Sequence, residues 1–148
     1  ESVAHWITDG FIQAEPPKST GRDYFGAHWL KKNLPDLNQW EIANLLASLS
    51  LFTARSVAVN CRQFLPMQNV KEIIVSGGGV HNRAVMQNLE KEFATISVVG
   101  SDSYGIDPDM KEAVGFAILG AAYLKEIPGN IPSVTGASRS VILGKMTI

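Results

Sequence analysis

The residues best placed to do chemistry sit in the stretch EIIVSGGGVHN, Glu72 to Asn82, where Gly77, Gly78 and Gly79 follow a strand-like run and precede a helix-like one. Glycine permits positive φ and lets a ligand touch bare backbone. A helix beginning just beyond offers free N–H groups and a partial positive charge. In an open parallel sheet ligands bind outside the carboxyl ends of strands, which is where the triplet falls. Together these features favour a phosphate or the edge of a nucleotide. A tight strand-to-helix turn with close packing would use the same three glycines, and spacing alone leaves both readings standing. Two common phosphate motifs do not fit. G-x-G-x-x-G would need glycine where Asn82 stands, and G-x-x-x-x-G-K-[ST] finds no lysine after the glycines and finds Pro17 in place of glycine at PPKST.

Glu112 is the next candidate. It lies in the first turn of a helical pattern that opens GIDPDMK. Asp109 and Glu112 have capping-box spacing, and Asp107 followed by Pro108 is an alternative helix start. A carboxylate here suits the positive end of the helix, and it can also reach a ligand. The loop PPKSTGR offers Lys18, Ser19, Thr20 and Arg22, either as a solvated turn or as a loop on the substrate side. His5, His28 and His81 have no metal-ligand spacing with one another or with Cys61, so no protein metal site is expected. Cys61 is the one cysteine; its apolar helical setting reads as a small core residue in a reducing compartment. Trp6, Trp29 and Trp40 read as core or interface residues rather than base-stacking platforms.

The elements that must hold these residues follow from periodicity. The 148 residues suffice for one domain with a real core, and the composition is ordinary for a globular chain: 45% hydrophobic and 18% charged. A net charge of −1 gives no electrostatic reason to expect nucleic acid or an anionic membrane. No uninterrupted apolar run reaches the roughly 18 residues of a membrane span. The chain opens ESVAHW, without initiator methionine or signal peptide, as a piece cut from something longer would.

ESVAHWITDGFIQA reads as a short helix ending near Gly10, EPPKSTGRDYFG as a loop, and AHWLKKN as a helix stopping before Pro35. A long helical signal runs from Leu37 to Phe64, with Asn38 and Glu41 at capping-box spacing. The segment EIIVS reads as a strand, HNRAVMQNLEKEF as a helix, TISVVG as a strand, and MKEAVGFAILGAAYLKE as a helix apolar almost all round and therefore buried on several sides. Gly115 and Gly120 within it suggest a close approach by a neighbouring helix or domain. RSVILGKMTI reads as a closing strand. The order between Glu72 and Glu126 predicts an α/β fold with a βαβ unit and parallel strands. Three strands make a thin sheet, so part of the sheet is expected in chain outside this segment or in another subunit.

At this point the residues carry a resemblance. VSGGGVHNRAVMQNLEKEF and GIDPDMKEAVGFAILGAAYLKEIPGNIPSVTGASRSVILGK, with PPKSTGRDYFGAHWL upstream, resemble the C-terminal part of the anhydro-N-acetylmuramic acid kinase family, from about Ile12 to Lys145. The resemblance implies the C-terminal half of an actin-like, ribonuclease H-like fold of the actin/hexokinase-like sugar kinases: a βαβα core with long packed helices and an incomplete sheet. It implies one nucleotide-binding domain over residues 1–148, with N-terminal helices and the PPKSTG loop in 1–36 and the α/β core in 37–148. It implies a transferase that opens the 1,6-anhydro ring and phosphorylates O6 with ATP and Mg²⁺, in cytoplasmic peptidoglycan recycling. Mg²⁺ would arrive with ATP, held mostly by phosphates and water. By the same resemblance Gly77, Gly78 and Gly79 face the adenosine and α-phosphate, His81 and Asn82 are further nucleotide-binding candidates, and Glu112 binds sugar hydroxyls. The catalytic aspartate belongs to a missing N-terminal domain, since TDGF at Thr8 to Phe11 has Phe11 where a small hydroxyl residue should be. The chain alone is then inactive. A homodimer is implied, with the Leu37–Phe64 helix a candidate interface, although burial inside the monomer explains the same pattern. The alternative function is a non-catalytic interaction or regulatory module on a kinase-like fold.

Overall fold

The computed structural model describes residues 2–147. Seven α-helices and two β-strands appear among them: α1 (Ser2–Trp6), α2 (Gly10–Gln13), α3 (Ala27–Asn33), α4 (Ile42–Phe64), β1 (Glu72–Val75), α5 (Arg83–Glu92), β2 (Ser97–Gly100), α6 (Lys111–Leu124) and α7 (Pro132–Thr135). The two strands pair in parallel, Glu72 opposite Ser97 and Val75 opposite Gly100. The βαβα order expected from the sequence is therefore present.

Helix α4 organises the molecule, because it carries residues of two separate cores. Phe52 packs with Val3, Trp6, Ile12, Trp29 and Leu34. Its ring stacks on Trp29 at 5.0 Å and meets Trp6 edge-on at 5.8 Å, geometries that aromatic quadrupoles favour. Two and six residues further on, Ala54 and Ala58 are completely buried against Leu89 and Phe93 of the α5 segment. Cys61, half-buried, packs at the edge of this second core, and burial pushes its thiol up from its ordinary pKa. With 23 residues α4 is long and apolar enough to cross a membrane by length and composition alone, a test that core helices also pass. In the structure it packs against α1, α2, α3 and α5.

Five expectations are corrected. The first helix stops at Trp6, and Gly10 opens α2 rather than closing α1. The closing strand is absent: residues 141–147 form no ladder, and Val141 is held only by its carbonyl, which accepts from Gly129 N–H, and its own N–H, which donates to Asn130 Oδ1. An apolar run needs a partner strand to become a strand, and here no described residues supply one. The α4 helix starts at Ile42, after a 3₁₀ turn at Leu37–Gln39; Glu41 occupies the cap position, and its carboxylate accepts from the Asn44 side chain rather than closing a box with Asn38. Helix α6 is not buried: none of its residues is, and Phe116 is 74% exposed. Its main contacts are the turn that leads into it and the tail beyond it. Correspondingly, a Cβ added at Gly115 or Gly120 would meet nothing within 4 Å, so the close neighbour that these glycines suggest is not among the described residues. Finally, the Asp109–Glu112 capping box does not form; Asp107 with Pro108 makes the start, its Oδ1 accepting from Asp109 N–H at 2.9 Å.

Candidate functional site

The glycine triplet emerges at the carboxyl end of β1. Gly77 has φ +80° and ψ −179°, a backbone region open essentially only to glycine. Gly78, Gly79, Val80 and His81 then make one 3₁₀ turn, and Asn82 caps α5 by accepting from the N–H groups of Ala84 at 3.1 Å and Val85 at 3.2 Å. Two first-turn donors of α5 are thereby satisfied, which weakens the case for an anion at that helix start. What remains distinctive is uncovered backbone: Gly78 and Gly79 are exposed, and a Cβ on either would touch nothing within 4 Å. Packing within the described residues does not require glycine at these two positions.

The neighbouring strand delivers the other wall. After β2 the chain makes a 3₁₀ turn at Ser101–Tyr104, reverses at Gly105 with φ +73°, and passes through Asp107 and Pro108 into α6. The two post-strand segments meet. Gly77 N–H donates to Pro108 O at 3.0 Å, and His81 Nε2 lies 3.0 Å from each carboxylate oxygen of Asp109. Between them is an open hollow of about 500 Å³ lined by Val80, His81, Asp102, Gly105, Asp107 and Pro108. The acidic side chains Asp102 and Asp107 line it and Asp109 stands beside it. Such a wall repels a bare phosphate chain and suits hydroxyl donors, which a ribose offers. Ser101 Oγ, at the end of β2, is buried without a hydrogen-bond partner among the described residues.

Glu112 stands in the first turn of α6 with its side chain 63% exposed, 3.3 Å from the Lys111 ammonium, and outside the lining of this hollow. The structure thus brings Gly77, His81, Pro108 and Asp109 together and leaves Glu112 one turn further on. The contact between His81 and Asp109, separated by 28 residues in sequence, was not foreseen; adjacency of the loops after two neighbouring parallel strands was the signal that could have found it.

The remaining candidates have structural partners. Lys18 donates to the carbonyls of Phe11 at 3.0 Å and Ile12 at 2.8 Å, and its ammonium lies 5.1 Å from the Phe64 ring centre. It anchors the PPKSTG loop to α2 and α4, while Ser19, Thr20 and Arg22 are exposed. In TDGF, Asp9 caps α2 through Phe11 N–H and also accepts from Tyr24 OH and Trp29 Nε1. Burial pushes its carboxyl up, but these bonds outweigh it and hold the group below the usual aspartate range. Trp6 and Trp29 are core residues, and Trp40 packs against them. Among the described residues, no three His, Cys, Asp or Glu side chains cluster so as to hold a metal ion. An apolar groove of about 610 Å³ runs between α6 and the tail near Phe116, Tyr123, Leu143 and Met146, away from the glycine turn.

Comparison with known proteins follows the same residues. The model of the family described as anhydro-N-acetylmuramic acid kinase matches residues 2–148. Proteins called anhydro-N-acetylmuramic acid kinase are 43% identical over 147 residues in a Picosynechococcus species and 42% identical over 142 residues in Coxiella burnetii, covering 97% and 96% of this chain. A third, from Synechococcus elongatus, is 38% identical over 94% of it. The chain spans about 38% of the length of these relatives.

Proposed function

The chain belongs to the anhydro-N-acetylmuramic acid kinase family, and from that premise we propose that it supplies the nucleotide-contacting part of a sugar kinase. The parent reaction, on this reading, is a hydrolytic opening of the 1,6-anhydro ring of anhydro-N-acetylmuramic acid, in which water adds at C1 as the C1–O6 bond breaks, coupled to phosphorylation of O6. ATP supplies the phosphoryl group, with Mg²⁺ held by its phosphates and by water. The observation that carries the reading is the Gly77–Gly79 turn at the end of β1, whose second and third glycines are exposed and answer to no neighbour within the described residues.

Residues 1–148 act as one such domain, the C-terminal half of an actin-like fold. Bare peptide at Gly78 and Gly79 lies against the adenosine. Asp102 and Asp107 accept from ribose hydroxyls. His81 and Asn82 shape the turn, each through a side-chain bond already made: His81 to Asp109, Asn82 to the α5 start. Glu112, solvated at the head of α6, is offered to the sugar. The catalytic aspartate and the phosphate turn belong to the part of the relatives' length that this chain does not span, so the chain turns nothing over by itself.

Isothermal titration with the β,γ-imido analogue of ATP tests the reading. Saturable binding by the chain, weakened at least tenfold in Gly78→Asp, supports it. Equal binding by both proteins removes the role given to the triplet. Binding by neither leaves an interaction or regulatory module on the same fold. Turnover of MgATP and the anhydro sugar by the chain alone would overturn the placement of the catalytic base.

A further inference from the structure

Helix α6 has no buried residue, and its main contacts are the turn that introduces it and the tail that follows it. Its position relative to the sheet therefore depends on what holds that leading turn. The ladder cannot do so, since it ends at Val75 and Gly100. Beyond those residues, two links tie the post-β1 turn to the post-β2 turn: Gly77 N–H to Pro108 O, and His81 to both carboxylate oxygens of Asp109. Asp109 is itself fixed, because its backbone N–H donates to the Asp107 side chain. Met110 N–H donates to Asp107 O in the same turn. Glu112 follows two residues later.

From this geometry we infer that His81 and Asp109 form a strap that docks the head of α6 onto the glycine turn and so fixes where Glu112 stands. Both are positioning residues. The inference rests on the proposed nucleotide role of the turn only for its consequence, which is that a ligand seated on Gly78 and Gly79 is felt at Glu112. The strap itself is a property of the free chain. His81 and Asp109 are each 61% exposed, so the link is weak in isolation. A weak link suits a joint that must hold a geometry and still give when a ligand favours another.

The test has two arms, both on this chain. Without ligand, amide exchange at Gly77 and ¹⁵N relaxation along α6 are measured by NMR. In His81→Ala, exchange at Gly77 should rise about two- to fivefold, the range set by an exposed ion pair, and α6 should relax differently from α5. His81→Gln, whose carboxamide can still donate to Asp109, should restore most of both, and Asp109→Leu should reproduce the loss. Unchanged exchange and relaxation in His81→Ala and Asp109→Leu overturn the strap. In the second arm the β,γ-imido analogue of ATP is added. Shifts at Gly78 and Glu112 in the unsubstituted chain, with only those at Gly78 surviving in His81→Ala, show transmission through the pair; surviving shifts at Glu112 overturn that transmission. If the analogue shifts nothing in the unsubstituted chain, the nucleotide reading fails, while the first arm still decides the strap.

Discussion

Gly77 donates its backbone N–H to the carbonyl of Pro108 across 3.0 Å, joining the turns that leave two paired parallel strands. The bond asks Gly77 to hold φ +80° with extended ψ. Its two successors are asked for nothing comparable, and the difference is measurable.

Gly77→Ala should destabilise the fold by about 1–3 kcal/mol, the usual cost of forcing a side chain into that backbone region. Gly78→Ala should be neutral, or stabilising by up to about 1 kcal/mol, because its new Cβ meets nothing and the unfolded chain loses freedom. Urea unfolding of the two variants checks this. A Gly78→Ala penalty as large as that of Gly77→Ala would mean that the turn is a packing device.

Asn82 accepts from two N–H groups that α5 cannot satisfy internally. Removing such a cap typically costs about 1 kcal/mol, and a carboxylate can replace the carboxamide. Asn82→Ala should therefore lower the urea midpoint, and Asn82→Asp should hold it, since its charge also suits the helix start. Equal losses in the two variants would point to a role for the Asn82 amide nitrogen instead.

Local signals were legible in the sequence; signals that depend on a partner were not. The strands at Glu72 and Ser97, and the helix between them, were read directly, because strand runs and helical periodicity are properties of neighbours in sequence. The tail RSVILGKMTI has the residues of a strand, but among the described residues it finds no ladder to join. The apolar girth of α6 announces burial that the described residues do not provide. At Asp109 the sequence offered a cap, and the fold used the carboxylate for His81 instead, a choice made by topology rather than spacing. The candidate site followed the same division. The glycine turn was visible as a turn, whereas the acidic wall from the post-β2 segment came only with the fold.

The pH dependence of stability should have a component from Glu92, whose side chain is 15% exposed between Arg55 at 2.9 Å and Arg62 at 3.2 Å. Burial pushes its carboxyl up most strongly, but the bonds and charges of the two guanidiniums together hold it below its ordinary value of 4.5. A carboxyl lowered on folding stabilises above its unfolded pKa and loses that contribution as pH falls through the folded one. The gap in urea midpoint between the unsubstituted chain and Glu92→Gln should therefore be full at neutral pH and shrink below about pH 4.5. Added salt should narrow it at neutral pH, since both arginines are partly solvated. A gap independent of pH would show that packing, not charge, is what Glu92 contributes.

The α4–α5 contact sets how closely the long helix approaches the sheet side of the molecule, and small residues make it possible. Ala54 and Ala58 have no exposed surface, and they face Leu89 and Phe93. Ala58→Leu adds three carbons where there is no room, at a cost of about 1–3 kcal/mol from displaced rotamers and backbone. Ala58→Gly should cost about 1 kcal/mol through helix propensity alone. Because α5 carries the glycine turn at its head, forcing the helices apart should also move Asn82 and Gly79. Ala58→Leu should then weaken binding of the ATP analogue along with stability, whereas Ala58→Gly should lower stability and leave binding unchanged. Comparing urea midpoints with titration calorimetry for the two variants separates displacement from mere destabilisation. Equal binding in both would show that the turn is held from the β1 side and by Pro108, independently of how α5 packs.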